Sequence, residues 1–202
     1  ICIDYNDIDP INDPIPCRPV AHYSMGGIET DIHGATRIKG VWAAGEAGCV
    51  SVHGANRLGA NSTAECLVWG GITGAQAAAY CSEIPAPAPV PEDRVEAEKK
   101  RIFDDLLARR GSENLYEIRR ELRTCMDVSV GVFRNGSDLN EGLEKIKSLR
   151  KRYADINIGD PSTVYNTNLY HALETGNLLD LAEVLVTGAL QRTESRGAHA
   201  RR

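Results

Sequence analysis

Long apolar runs are missing from this 202-residue chain. With no stretch of about 18 apolar residues and no basic segment ahead of a shorter one, neither a spanning helix nor a signal peptide is expected within it. Any membrane association is then expected to run through partners. A surplus of positive charge is missing too: 23 Lys and Arg stand against 28 Asp and Glu, the net charge is -5 and the pI about 5.6. Phosphate backbones are bound by clustered Lys and Arg, and here the bases are interleaved with acids, which argues against a nucleic-acid surface. Six cysteines are present (Cys2, Cys17, Cys49, Cys66, Cys81 and Cys125), but without CxxC or Cys/His ligand spacing. No metal centre is therefore expected, and reduced thiols in a cytoplasmic setting suit them better than a disulfide framework. No GxGxxG follows a strand pattern, so the loop that grips a dinucleotide's phosphates is absent from these residues. The chain opens on Ile1 rather than Met and closes on GAHARR, from which a segment of a longer chain is expected.

What is present suffices for a core, since 42% of the residues are apolar. Pro10, Pro14, Pro16 and Pro19 restrict φ and remove donors, so residues 1–21 read as an extended connector without a regular element. Residues 22–84 change texture. Short strands broken by Gly-rich turns are expected up to Glu46, with VWAAG as a buried strand ending at Gly45. Asn61 or Ser62 then caps a Gly/Ala-rich helix running to about Cys81. Alternating prolines in PAPAPVPE make residues 85–91 a polyproline-like linker and the best domain boundary. Residues 92–202 read as a helical bundle. Val95, Ile102, Phe103, Leu106 and Leu107 share one helix face closing at Gly111, and Leu115, Ile118, Leu122 and Met126 a second. Ser137 and Asp138 start a third helix carrying Leu139, Leu143, Ile146, Leu149 and Tyr153. A fourth spans about Asn168 to Gln191, with a bend expected near Gly176. The fold class is α+β: a partial cofactor-binding region of short strands and one small-residue helix, then the bundle.

Three stretches could carry chemistry. SVHGANRLGANS places one fixed positive charge, Arg57, in a glycine-studded turn directly ahead of a helix. A planar guanidinium grips a carboxylate with two parallel charge-assisted hydrogen bonds, and an imidazole such as His22 can donate to a second, so the pair suits a dicarboxylate. A solvated surface Arg and a half-buried packed His are the bland alternatives. In TRIKGVWAAGEAG, a buried strand followed by Gly-acid is how many two-dinucleotide-fold flavoproteins close the FAD site, with Glu46 as the acid facing ribityl hydroxyls; a plain turn explains Gly45 and Glu46 equally. The helix start at Asn61, Ser62 and Thr63 offers free N–H groups to an anion such as a reduced flavin, although ordinary capping would account for it. His33 and His171 take structural readings, as does His53 unless it packs on a flavin ring.

HYSMGGIETD, AAGEAGCVSVHGANRLGANS and ESRGAHAR resemble the flavoprotein subunit of succinate dehydrogenase and fumarate reductase, and VGVFRNG and YNTNL are similar to its helical region. L-aspartate oxidases share the HY and HGANR elements, but RLGANS with ESRGAHAR favours the dehydrogenase and reductase branch. The resemblance implies FAD as cofactor and interconversion of succinate and fumarate by hydride transfer at flavin N5. It implies His22 and Arg57 as carboxylate ligands, and Glu46, Ser62, Thr63, Gly26 and Gly27 as FAD contacts, with Met25 beside them. Thr63 stands where the family commonly has Leu, a change that leaves a backbone-amide contact intact. Arg196, His199 and Arg201 are expected to lock the helical region near the flavin region. Implied partners are an iron-sulfur subunit and membrane-anchor subunits, with the chain peripheral on the inner face of the cell membrane. The ADP-binding fold, the flavin-linking His and the proton-delivering Arg are expected upstream, so the segment alone is expected to be inactive. The other readings are an L-aspartate oxidase, a soluble fumarate reductase, or a non-catalytic helical docking fragment.

Overall fold

The structure is a computed structural model that describes residues 1–17, 22–84, 86 and 88–202. Pro19, Pro85 and Pro87, on which part of the connector and linker reading rests, lie outside the described residues. The connector is not free of regular structure: Cys2–Asn6 form the short helix α1. Its residues precede Pro10, so no proline ring removes a donor there.

Residues 28–49 are held by glycine turns more than by sheet. Strands β1 (Ile28–Glu29) and β2 (Gly48–Cys49) pair in parallel, Ile28 with Gly48 and Glu29 with Cys49. Between them VWAAG does not form the expected strand; an isolated antiparallel bridge joins Ala35 and Trp42, and a 3-10 turn occupies Gly45–Ala47. Gly40 and Gly45 have φ of 84° and 70°. These left-handed residues leave too short a run between them for a ladder, although Ala43 is buried as expected.

Helix α2 spans Asn61–Glu83. Glycines that face it permit close approach: a Cβ on Gly34 would lie 2.1 Å from Thr73 Oγ1, and one on Gly45 would lie 3.0 Å from Cys66 Sγ, whereas its own Gly70, Gly71 and Gly74 face open space. Trp69 Nε1 adds a hydrogen bond to the Ile32 carbonyl at 3.2 Å. Glu65 is nonetheless the one buried residue of this helix.

Among the described residues, the contiguous hydrophobic cluster lies in the second half, and Ala43 is the buried apolar residue outside it. Helix α3 (Glu92–Lys99) continues into a π-helical segment, Lys100–Leu106, that delivers Leu106 to the core. Helices α4 (Leu115–Ser129), α5 (Gly136–Tyr153) and α6 (Thr167–Gln191) pack together through Ile118, Leu139, Ile146, Leu149, Leu179 and Val186, all fully buried. Burying each such side chain contributes about 1.5–3 kcal/mol. Each helix begins on an Asn: Asn114 accepts from the Tyr116 and Glu117 amides, Asn135 from Asp138, and Asn166 from Leu169. Helix α5 thus starts one residue ahead of the expected Ser137. Helix α6 runs unbroken through Gly176, where the Tyr153 hydroxyl sits 3.1 Å from a notional Cβ. Two further parallel pairs tie the loops: β3 (Glu113–Asn114) with β5 (Ile156–Asn157), and β4 (Phe133–Arg134) with β6 (Ala200–Arg201).

Candidate functional site

The loop from Val50 to Ala60 carries Arg57 and is anchored from three sides. From below, Glu65 in the second turn of α2 is 4% exposed and accepts hydrogen bonds from the Tyr23 hydroxyl and from His53 Nε2, the latter at 2.7 Å. Tyr23 and His53 meet edge to face with centroids 5.3 Å apart. From the side, the Arg57 guanidinium lies over the Tyr23 ring at 4.9 Å from its centroid, and its Nη1 donates to the Leu58 carbonyl at 3.0 Å. From the C-terminal end, the Ala198 amide donates to the Ala55 carbonyl at 3.3 Å.

No carboxylate pairs with Arg57 among the described residues, and its Nε is buried without a hydrogen-bond partner. Such a donor is costly in isolation, so the guanidinium is poised to accept an anion. Burial, reinforced by the Glu65 hydrogen bond and charge, pushes the Tyr23 hydroxyl well above the usual phenol range. Tyr23 therefore stays a neutral donor beneath the cation.

His22 immediately precedes Tyr23 and is exposed; no hydrogen bond or ion pair joins its side chain to Arg57. Glu46, exposed on the 3-10 turn, accepts from the Ser24 amide at 2.9 Å. That bond and the β1–β2 pairing bring the MGG stretch against residues 46–48. Gly27 has φ of 125°, and a Cβ there would lie 2.6 Å from the Ala47 carbonyl oxygen; Gly26, at 101°, faces open space.

The expected cap of α2 is different from its sequence reading. Ala60, not Asn61 or Ser62, is the N-cap; its φ is 65° and no side chain caps the helix. An alanine held in the left-handed region is strained, and strain of this kind concentrates at functional sites. It leaves the amides of Ser62 and Thr63 without a side-chain acceptor at the positive end of the helix dipole.

Sequence reasoning missed Glu65 and left His53 without a role. A charged residue five positions into a small-residue helix gave no periodic signal, and only its burial against Tyr23 and His53 sets it apart. A cavity of about 320 Å³ lined by Gly111, Asn114, Tyr116, Asn157 and Asn168 shares no residue with this site. Among the described residues no helix is long and apolar enough to cross a membrane.

Comparison with known proteins places these features in a lineage. Residues 1–63 match the model of an FAD binding domain, which makes FAD the cofactor of this region, and residues 119–202 match that of the fumarate reductase flavoprotein C-terminus. The chain is 42% identical over 200 residues to the fumarate reductase flavoprotein subunit of Haemophilus influenzae, covering 98% of this chain and 33% of that protein. It is 41% identical over 204 residues to the succinate dehydrogenase flavoprotein subunit of Rickettsia bellii, covering 96% and 34%. Among solved structures, a variant of E. coli quinol fumarate reductase superposes with a TM-score of 0.91 at 39% identity, covering 100% of this chain and 34% of that one. The Mycobacterium smegmatis Sdh1 complex in the apo form gives 0.92 at 35% identity, covering 100% and 34%. The chain therefore belongs to the succinate dehydrogenase and fumarate reductase flavoprotein family, and it spans 33% to 35% of the length of the first relatives it matches.

Proposed function

We propose that this chain supplies part of the FAD and dicarboxylate site of an oxidoreductase that interconverts succinate and fumarate. The observation that carries the reading is Arg57: a guanidinium with no carboxylate partner among the described residues, a buried unpartnered Nε, and a glycine-rich loop leading into an uncapped helix. Bound FAD supplies the two-electron acceptor or donor. In this reading Arg57 grips one carboxylate of the C4 diacid and His22, exposed one residue from the Tyr23 platform, donates to the other. Donors already aimed at developing charge stabilise the transition state more than the ground state.

The residues present fit the cofactor. The unspent amides of Ser62 and Thr63 suit an electron-rich ring edge, Gly26 lets backbone approach a flat group, and Glu46 keeps one carboxylate oxygen free for a ribityl hydroxyl. In the same reading the domain limits are 22–84 for the cofactor and substrate region, 85–91 for the linker and 92–202 for the bundle, with residues 1–21 as connector. An iron-sulfur subunit and membrane anchors are the proposed partners, which would hold the chain peripherally on the inner face of the membrane.

Arg57→Ala in the intact flavoprotein tests this directly. Loss of one such donor is expected to lower turnover about 10²-fold to 10³-fold. Steady-state rates with succinate, fumarate and L-aspartate are the measurement; unchanged turnover of the variant, or oxidation of L-aspartate alone, would refute the assignment. The isolated segment is expected to bind FAD poorly, and a near-stoichiometric flavin absorbance after its purification would contradict that.

A further inference from the structure

We propose that Glu65 is a positioning residue of the substrate loop: its buried carboxylate, shared by Tyr23 and His53, fixes the aromatic face on which the Arg57 guanidinium rests. The inference builds on the reading of Arg57 as the carboxylate ligand. Arg57 touches no part of α2 through hydrogen bonds; its described anchors are the Leu58 carbonyl and the Tyr23 ring. A ring is a slippery support, because cation–π attraction sets a distance but little direction. Direction comes from what holds the ring, and the Tyr23 hydroxyl ends on Glu65. His53 Nε2 donates to the same carboxylate oxygen, its side chain 8% exposed and packed edge-on against Tyr23. Because His53 and Arg57 belong to one loop, Glu65 holds both the loop and the platform.

Charge is part of the argument. A phenol that donates to a carboxylate gains electron density, which strengthens its attraction for a cation over the face. The raised Tyr23 value, caused first by burial and then by Glu65, keeps the proton on the phenol so that the link persists. A neutral amide at position 65 would preserve volume and weaken both hydrogen bonds, since charge-assisted bonds are about twice as strong as neutral ones. A carboxylate that served only to fill space beneath α2 would not be felt at Arg57.

The test uses the intact flavoprotein with Glu65→Gln, Tyr23→Phe and Arg57→Ala, singly and as the Glu65→Gln/Arg57→Ala double variant. Malonate, an unreactive dicarboxylate, is the binding probe, followed by flavin absorbance. Glu65→Gln is expected to raise KM for fumarate and Kd for malonate about tenfold while kcat falls less. Tyr23→Phe should give part of that effect, and Glu65→Gln should add nothing in the Arg57→Ala background. A flavin-replete Glu65→Gln with unchanged KM, or full multiplication of the two single effects, overturns the proposal. Should Glu65→Gln fail to retain flavin, Tyr23→Phe decides alone, and an unaltered malonate Kd in that variant overturns it too. An unimpaired Arg57→Ala overturns the assignment of Arg57 and this proposal with it, whereas an impaired Arg57→Ala beside a normal Glu65→Gln overturns the proposal only.

Discussion

At Gly197 a methyl group would sit 2.2 Å from the Ala55 carbonyl oxygen, and the residue has φ of 59°. Two costs therefore coincide, left-handed backbone and a clash with rigid main chain, and together they amount to about 2–4 kcal/mol. Gly197→Ala is expected to lower the urea midpoint and, if the proposed role of Arg57 holds, to raise the dicarboxylate KM of the intact flavoprotein, because Ala55 lies two residues from Arg57. An unchanged KM in a folded variant would show that this contact does not reach the Arg57 loop. Nearby, His199 is buried; Nε2 lies 2.9 Å from the Arg192 carbonyl, so it carries the proton and Nδ1 accepts from Arg134 Nη1 at 2.8 Å. At this scale the GANR and RGAH stretches were legible as special, since each sets a glycine and an arginine within one short turn-forming stretch. The resemblance implied that Arg196, His199 and Arg201 hold the two regions together, but the hydrogen bond between the stretches is made by backbone, Ala198 to Ala55, while the His199 ring bonds Arg134 and Arg192.

Among elements, α4 and α5 are joined by an ionic cluster as well as by core packing. Glu121 accepts from Lys145 and, at 2.7 Å, from Arg152 Nη1, while Arg152 Nε reaches Glu113 at 2.9 Å. Hydrogen bonds from Lys145 and Arg152 hold the Glu121 carboxyl below its ordinary value of 4.5. A depressed folded-state value means that the cluster's stabilisation is complete above that ordinary value and is lost as pH falls through the lowered one. Urea unfolding should show stability dropping below about pH 4.5, and Glu121→Gln should remove about 1 kcal/mol at neutral pH while flattening that acid-side slope. A parallel slope in the variant would refute the role of Glu121. Helices α4, α5 and α6 were readable from apolar spacing because one face of each meets the core, whereas α3 buries no residue and leaves Val95 exposed. The VWAAG strand was misread for the opposite reason: an apolar run marks burial, and whether it becomes a strand depends on a neighbouring strand and on the φ of its flanking glycines.

Over the whole molecule the core belongs to the bundle. Every member of the buried apolar cluster lies between Leu106 and Ala189, whereas α2 leaves Leu67 73% and Val68 51% exposed. Residues 92–202 alone are thus expected to stay helical and unfold cooperatively, and residues 1–84 alone to lack a cooperative transition. Circular dichroism with urea titration checks both, and a non-cooperative bundle would contradict the account. Residue types and spacing by themselves determined the helical half, the glycine-rich cofactor texture, and Arg57 as a lone fixed charge in a glycine-studded turn, because each is a local consequence of side-chain chemistry and periodicity. Only the tertiary structure decided that Ala60 leaves α2 uncapped, that VWAAG is no strand, and that Glu65 lies buried under Tyr23 and His53. Those outcomes turn on which groups the folded chain removes from water together, and desolvation is a property of the assembled packing, which no single stretch possesses.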